Sequence, residues 1–332
     1  MDTAPFIRGC AFDGTTSVPY PRADPADTRI PRDTWQTARL PVGVRLELMG
    51  EAEAVDIAYV TQTEDLGYRG DGAGRTFSLW RAGTLVDEEK AELGEGRVRL
   101  ALGGWPGDVR AVVYLPEGMK PVISSLSGVG GRIEPAPPDQ RRWIAYGDSV
   151  AEGWVASGPA LAWPAVAGRQ YGLDVVNMGY AGAARGEVAS AEQIAALDAD
   201  VISITHGTNC WTRTPHTAAM MGAAVGAFID VVRQGHPETP IVVVSPVLRP
   251  DAEQTPNRLG ATLADLRAAM EEAASPRDVV LIPGGDLIGA DNLADGIHPD
   301  DEGHRILANV IGGEVARALG NLGNLDNLDN PR

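Results

Sequence analysis

Hydrophobic and polar residues alternate along much of the first 135 positions. Five runs there, most of them alternating apolar with polar side chains and bounded by Gly, Pro or Asp, are residues 44–50, 54–62, 75–83, 96–104 and 110–116. This alternation is typical of antiparallel strands with one buried face, and no long helical pattern interrupts it. We therefore predict an all-β sandwich domain for residues 1–135.

The pattern changes after a segment rich in Gly and Pro, residues 127–142, which we interpret as a linker or a strand crossing between domains. Beyond it, near-continuous apolar runs alternate with helical stretches. The apolar runs are 143–146, 173–177, 200–205, 240–245 and 278–282, and the clearest helical stretches are 216–234, 262–274 and 303–319. This rhythm predicts a parallel sheet of about five strands with helices on both faces.

The predicted α/β domain spans residues 136–319, and ligands are expected at the carboxyl ends of its strands. The remaining residues, 320–332, repeat a polar tripeptide and have almost no β-branched or aromatic side chains. Such a composition is typical of a disordered tail.

Composition restricts the partners. A formal net charge of −17 disfavours nucleic acid and anionic membrane surfaces. The chain has no apolar run near the ~18 residues of a membrane span and begins without signal-peptide features, so a cytoplasmic protein is expected. Cys10 and Cys210 match no metal or redox spacing. We interpret them as free thiols, with a catalytic Cys210 as the alternative. No cofactor or metal is predicted, and the oligomeric state is left open.

Candidate chemistry begins after the first apolar run of the α/β domain, at Gly147, Asp148 and Ser149. A serine between a strand and a helix lies near backbone N–H groups and a positive helix end, which favour an attacking alkoxide. The alternative is a serine that caps the helix. We interpret Asp148 as an acceptor for loop N–H groups.

A second group of residues lies near the carboxyl end, where Asp295 and His298 are three positions apart. In a tight turn or helical start their side chains can share a face. A carboxylate bonded to one imidazole nitrogen leaves the other free to accept a serine proton. Pro299 is expected in the first turn of the closing helix. The alternatives are a capped helix start with a solvated histidine, or a metal site that includes His304, although the spacing matches no established ligand set.

Two loops after the second and third apolar runs offer hydrogen-bond donors. Gly182 can bring a backbone N–H close to a substrate oxygen, and Asn209 provides an amide; together such groups form an oxyanion hole. Five further residues are compatible both with lining the pocket or binding an anionic group and with ordinary packing, namely Trp154, Arg185, His206, Trp211 and Arg249.

These residues resemble, in order, the four blocks of the SGNH (GDSL-type) hydrolase family. The blocks are Gly147-Asp148-Ser149, Gly182, Gly207-Thr208-Asn209 and Asp295-Gly296-Ile297-His298, within residues 143–318. The resemblance implies a flavodoxin-like sheet, with Ser149 as nucleophile, His298 as base and Asp295 as its orienting carboxylate. It also implies that the Ser149 and Gly182 N–H groups and the Asn209 side chain are the oxyanion donors. Val150 and Cys210 depart from the usual residues and leave the substrate open.

The first half resembles, by architecture alone, the β-sandwich of a family branch that includes carbohydrate esterases and natural-product acyltransferases. Three functions follow. The first is a serine esterase acting on small acyl esters. The second is an O-acyltransferase that moves an acyl group from a thioester such as acyl-CoA to an alcohol of a natural product or sugar. The third is a carbohydrate-binding protein with an inert second domain. We expect hydrolysis first, because the family resemblance favours it.

Overall fold

The computed structural model describes residues 1–65 and 70–320. The tail predicted to be disordered lies, from residue 321 onward, outside the described residues. No helix within the described ranges is long and apolar enough to cross a bilayer.

The first part of the chain forms two antiparallel sheets. Its strands are β1 (Ile7–Arg8), β2 (Arg45–Gly50), β3 (Ala54–Thr61), β4 (Thr76–Arg81), β5 (Thr84–Lys90), β6 (Gly94–Ala101), β7 (Ala111–Tyr114), β8 (Val122–Val129) and β9 (Ile133–Pro135), and its helices are α1 (Arg32–Ala38) and α2 (Gly70–Arg75). One sheet has the order β1-β2-β7-β4-β5, with β9 also paired to β2, and the other has the order β6-β3-β8.

The two sheets bury one apolar core, as the alternation predicts. Leu46 and Phe77 from the first sheet and Ile57 and Leu100 from the second are fully buried in the same cluster. The β-sandwich prediction is therefore confirmed. The five predicted runs correspond to β2, β3, β4, β6 and β7, whereas β1, β5 and β8 were missed. The residues of β5 are mostly exposed and present no apolar face.

The second part contains a five-stranded parallel sheet. Its elements are β10 (Arg141–Gly147), α3 (Ser149–Glu152), α4 (Trp163–Tyr171), β11 (Leu173–Gly179), α5 (Val188–Ala196), β12 (Val201–Thr205), α6 (Asn209–Thr212), α7 (Ala218–Gly235), β13 (Ile241–Val244), α8 (Leu263–Ala274), β14 (Val280–Ile282) and α9 (Asp301–Ala318). The strand order is β11-β10-β12-β13-β14, and every pairing is parallel.

This order confirms the predicted flavodoxin-like sheet. Alternate residues of β10 enter different cores, with Ile144 and Tyr146 on one face and Trp143 and Ala145 on the other. The strand order reverses at β10, and ligands of such sheets bind beyond the carboxyl ends of the strands at this point. Ser149 follows β10 directly.

Helix α9 begins at Asp301, two residues before the predicted helical stretch 303–319 and two residues after Pro299. Asp300 is its N-cap, with a side chain that accepts a hydrogen bond from the Gly303 N–H, and the first helical residue is Asp301. Pro299 therefore precedes the helix, and the expectation that it lies in the first turn is wrong. The physical reason is that the Asp300 carboxylate satisfies a free N–H of the first turn better than proline can.

The N-terminal sequence also packs against the α/β sheet. Ala11, Ala23, Ile30 and Ala38 are buried in the cluster that contains Ile144 of β10. These residues lie on the N-terminal side of the predicted boundary between 1–135 and 136–319, so the first part of the chain supplies side chains to both cores.

Candidate active site

Ser149 lies in a one-turn helix between β10 and a glycine. Asp148 is the N-cap of α3 and has extended backbone angles, and Gly153 ends the helix with a φ of +88°. The helix expected after Ser149 is thus a single turn, because Gly153 takes the left-handed conformation that ends helices. Asp148, and not Ser149, caps it. Ser149 is 6% exposed.

The Asp148 carboxylate connects the serine turn to the Asn209 loop. It accepts hydrogen bonds from the N–H of Val150 (3.1 Å) and from the N–H of Thr208 (3.2 Å). Burial raises the pKa of this carboxyl, while the two hydrogen bonds oppose the shift. The structure therefore agrees with the interpretation of Asp148 as an acceptor for loop N–H groups.

His298 lies between Asp295 and Ser149. Its Nδ1 is 2.8 Å from Asp295 Oδ2, and its Nε2 is 3.0 Å from Ser149 Oγ. The loop that carries both residues is a tight turn: the Ala294 N–H donates to the His298 carbonyl at 2.8 Å, and Gly296 has a φ of +80°. Asp295 and His298 thus share one side of a turn that precedes α9.

The same turn fixes the charge and the tautomer. Burial opposes ionisation of Asp295, but hydrogen bonds from the His298 ring and from the N–H groups of His298 and Ile297 outweigh it and hold the pKa of the carboxyl below its usual value. An ionised carboxylate only accepts hydrogen bonds, so His298 Nδ1 carries the proton. His298 Nε2 is then the nitrogen that accepts a hydrogen bond from the Ser149 hydroxyl.

Gly182 lies in a loop that is fastened to the serine turn. The Tyr180 N–H donates to the Gly147 carbonyl at 2.8 Å, and the Asn177 side chain donates to the Ala151 carbonyl at 2.8 Å. Gly182 has a φ of +69°. Within residues 1–65 and 70–320, the N–H groups of Ser149 and Gly182 have no hydrogen-bond acceptor. Both are therefore available to an oxygen outside the chain.

Asn209 is the first residue of α6 and is 5% exposed. Its Nδ2 donates to the Ala184 carbonyl at 3.0 Å, which links its loop to the loop of Gly182. A primary amide has two N–H donors, so one remains for another acceptor. A Cβ placed on Gly182 would lie 3.7 Å from Arg213 Nε, so the guanidinium of Arg213 lies beside this loop. Sequence reasoning missed Arg213.

Of the five further candidates, Trp154 packs beside the His298 ring. Its ring is 5.6 Å from the His298 ring, centroid to centroid. Trp211 donates from Nε1 to the Thr255 carbonyl at 2.8 Å and lies under the guanidinium of Arg249. Trp154 therefore lines the candidate site, whereas Trp211 packs against the loop that carries Thr255.

The two arginine candidates form ion pairs with carboxylates of this chain. Arg185 pairs with Asp33 at 2.7 Å, and Arg249 pairs with Asp251 at 2.9 Å. These carboxylates neutralise both guanidinium groups, which favours the packing interpretation over the binding of an anionic substrate group.

His206 and His304 are buried and neutral. Burial lowers the pKa of each to about 4. His206 packs against Tyr146, at 5.5 Å between ring centroids, and His304 Nδ1 accepts a hydrogen bond from the Trp163 N–H at 3.3 Å. Both are parts of the core.

Cys210 is also buried, and desolvation raises its pKa to about 12, so it is a poor nucleophile. Cys10 is a second free thiol, half-buried. The described ranges contain no group of three or more His, Cys, Asp or Glu residues that could hold a metal ion.

Comparison with known proteins identifies the family. Residues 145–306 match the GDSL-like lipase/acylhydrolase family. The α/β part of this chain therefore belongs to that family, the SGNH or GDSL hydrolases. No curated protein sequence matches the chain significantly.

Solved structures share the whole two-part fold. The salicylyl-acyltransferase SsfX3 of a tetracycline biosynthetic pathway is 24% identical, with a TM-score of 0.79 over 95% of both chains. A putative GDSL-like lipase from Bacteroides ovatus is 20% identical, with a TM-score of 0.75 over 95% of both chains. A family two carbohydrate esterase from Clostridium thermocellum is 15% identical, with a TM-score of 0.61 over 84% of this chain and 93% of its own. At these identities the likeness shows the fold.

Proposed function

We propose that this protein is a serine esterase that hydrolyses small acyl esters through an acyl-enzyme on Ser149. The observation that carries the proposal is the position of His298, whose two ring nitrogens bond Ser149 Oγ at 3.0 Å and Asp295 at 2.8 Å. A serine hydroxyl is a weak nucleophile unless a neighbouring base accepts its proton. This arrangement supplies that base and the carboxylate that orients it.

In the first half of the proposed reaction, Ser149 Oγ attacks the ester carbonyl carbon as its proton passes to His298 Nε2. Asp295 stays ionised and stabilises the imidazolium that forms. The carbonyl oxygen becomes an oxyanion that accepts hydrogen bonds from the Ser149 N–H, the Gly182 N–H and the Asn209 amide. The intermediate then collapses: the bond to the alkoxy oxygen breaks, and that oxygen leaves as the alcohol with the proton from His298.

In the second half, a water molecule takes the place of the alcohol. His298 Nε2 accepts a proton from the water as its oxygen attacks the acyl carbon, and the same donors stabilise the second oxyanion. Collapse releases the carboxylic acid and returns the proton to Ser149 Oγ. The cycle consumes one ester and one water and leaves the enzyme unchanged.

An O-acyltransferase is the second candidate function. It is favoured by the likeness of both parts of the chain to a salicylyl-acyltransferase over 95% of each chain. The same acyl-Ser149 would then be discharged by an alcohol, with a thioester such as acyl-CoA as a possible donor. Because water is present at ~55 M, a transferase must hold its acceptor at a high effective concentration and exclude water.

The third function, a carbohydrate-binding protein with an inert α/β part, has less support. A recognition surface does not need a buried serine bonded to a histidine–aspartate pair. Carboxyl groups with shifted pKa values cluster at functional sites, and the lowered pKa of Asp295 is such a shift.

Product analysis distinguishes the two enzymatic functions. The protein is given p-nitrophenyl or CoA acyl donors, with and without a panel of alcohols, and free acid and new ester are quantified. Hydrolysis predicts free acid at catalytic rates without an acceptor and only a minor diversion to alcohols. A long-lived acyl-Ser149 that only one alcohol discharges quickly would make the protein an acyltransferase. No turnover of any donor by folded protein would remove both.

A further inference from the structure

We propose that Glu152 and Arg22 form a positioning pair that sets the distance between Ser149 and Gly182, so that the N-terminal part of the chain completes the oxyanion site. The inference rests on the proposed roles of Ser149 and Gly182 and goes beyond them, because neither Glu152 nor Arg22 touches the reacting atoms.

Glu152 is the last residue of α3, three positions after Ser149. A single carboxylate oxygen, Oε2, accepts hydrogen bonds from the Ala181 N–H at 2.9 Å, from Thr37 Oγ1 at 3.0 Å and from Arg22 Nη2 at 3.2 Å. Ala181 directly precedes Gly182. One carboxylate therefore joins the turn of the nucleophile to the loop of the glycine donor.

Arg22 holds that carboxylate from the other side. All three of its side-chain nitrogens donate hydrogen bonds, and the acceptors include the carbonyls of Leu40, Thr37 and Gly179. The last of these carbonyls ends β11, from which the Gly182 loop departs. The side chains of Arg22 and Glu152 are both fully buried. Arg22 is thus fixed by the N-terminal segment and by the loop at once.

The energetics favour a positioning role. A buried ion pair gains little net stability over an apolar pair of similar volume, because two charges must lose their hydration. Its hydrogen bonds nevertheless fix the orientation of the Gly182 loop, because the Ala181 N–H must point at Glu152 Oε2. An oxyanion donor must lie about 2.7–3.1 Å from the developing charge, and a shift of about 1 Å costs on the order of 10²-fold in rate.

The chain contains a matched control. Arg45 Nη2 lies 2.7 Å from Asp174 Oδ1, and Arg45 Nη1 donates to the Val175 carbonyl at 2.9 Å. This ion pair also joins the N-terminal part to β11, but at the opposite end of the strand from Gly179. Loss of this pair should lower stability without moving the Gly182 loop.

The experiment compares Glu152→Gln with Asp174→Asn in the full chain. We measure kcat and KM with a neutral p-nitrophenyl ester, the Tm, and hydrogen exchange of the amides of residues 180–184. Glu152→Gln should lower kcat by about 10²-fold with KM changed less than about twofold, as expected when only the transition state loses stabilisation. It should also speed exchange of the Gly182 loop. Asp174→Asn should lower Tm but leave kcat and this exchange unchanged.

Several results would overturn the proposal. One is a folded Glu152→Gln variant with kcat and loop exchange of the wild type. Another is an equal loss of kcat in Asp174→Asn at the same loss of Tm, which would show general destabilisation. If Glu152→Gln does not fold, Thr37→Val removes one hydrogen bond to the same oxygen. It should lower kcat about 3- to 10-fold, less than Glu152→Gln because the other two hydrogen bonds to this oxygen remain, and it should speed loop exchange. No change in either overturns the proposal.

The exchange measurement separates this inference from the proposed function. If Ser149→Ala retains full turnover, the esterase mechanism fails. Hydrogen exchange of the amides of residues 180–184 in Glu152→Gln would still decide whether Glu152 positions the Gly182 loop.

Discussion

His298 Nε2 lies 3.0 Å from Ser149 Oγ, although the two residues are 149 positions apart in the chain. The parallel sheet produces this contact. Ser149 follows the carboxyl end of β10, at the point where the strand order reverses, and the turn before α9 places His298 above it. The proposed chemistry depends on this hydrogen bond, and the predictions below test it and the groups around it.

The three residues of the proposed triad should have unequal effects. Ser149→Ala and His298→Ala should each lower kcat by several orders of magnitude, and Asp295→Asn somewhat less, because the aspartate acts through the histidine. The triple variant should be far from additive. Steady-state kinetics on folded variants provide the measurement. If His304→Ala lowered kcat as much as His298→Ala, the assignment of the base would be wrong.

Asn209→Ala should lower kcat by about 10²–10³-fold with little change in KM, because its amide acts on charge that is present mainly in the transition state. Asn257→Ala is the matched control, since Asn257 Nδ2 also donates to a loop carbonyl, that of His216, at 2.9 Å. The control should keep its kcat. An unchanged kcat in folded Asn209→Ala would remove Asn209 from the oxyanion site.

Gly182→Ala tests the backbone donor. Gly182 has a φ of +69°, and a Cβ there would meet Arg213 only at an ordinary contact distance of 3.7 Å. The substitution should therefore lower stability by about 1–2 kcal/mol through backbone strain. The backbone rotation that relieves this strain should turn the residue 182 N–H away from the oxyanion. Gly320→Ala is matched, with a φ of +71° and nothing within 4 Å of its Cβ.

Both glycine variants should lose similar stability, but only Gly182→Ala should lose activity, by tenfold or more as for a misplaced donor. Thermal unfolding and kcat on the same samples provide the measurement. Equal activity of the two variants would contradict a role for the Gly182 N–H.

Stability should fall as pH falls from about 6.5 to about 4. Burial lowers the pKa of His206 and of His304 from 6.5 to about 4, so the unfolded chain binds more protons than the folded chain in this window. Acidification through this window should therefore cost up to about 3 kcal/mol of folding stability for each histidine, because the folded state resists protonation of the buried ring. Asp148 opposes this trend, because burial raises its pKa in the folded state.

His206→Phe isolates one of these groups. Both ring nitrogens of His206 are buried without a hydrogen-bond partner among the described residues, and removal of an unsatisfied polar group costs little. The variant should be as stable as the wild type at pH 7 and lose less stability on acidification, as followed by denaturant unfolding at several pH values. An unchanged pH dependence would contradict the neutral buried state of His206.

The sequence predicts elements whose apolar pattern is strong. The strands of the parallel sheet appear as near-continuous apolar runs, so all five were predicted, including the partly exposed edge strand β14. Strand β5 was missed because it is exposed and is defined by its pairing to β4. The turn of Asp295 and His298 was predicted from spacing, but the start of α9 was not, since capping by Asp300 decided it.

Contacts between distant segments could not be predicted. Arg22 and Glu152 are 130 positions apart, and Arg22 lies in a segment without clear periodicity. Its role appears only when the N-terminal segment packs against the α/β sheet. Arg213 was not predicted as a site residue for a similar reason, because its neighbour Gly182 belongs to another loop.

Labelling with a fluorophosphonate, followed by intact mass and peptide mapping, tests directly whether Ser149 is the activated nucleophile. An activated serine forms a stable adduct with this reagent. We predict one label per chain, on Ser149, with no label in Ser149→Ala and full label in Ser157→Ala, which changes an exposed serine of the neighbouring loop. Labelling that survives Ser149→Ala, or folded wild type that takes no label, would contradict this prediction.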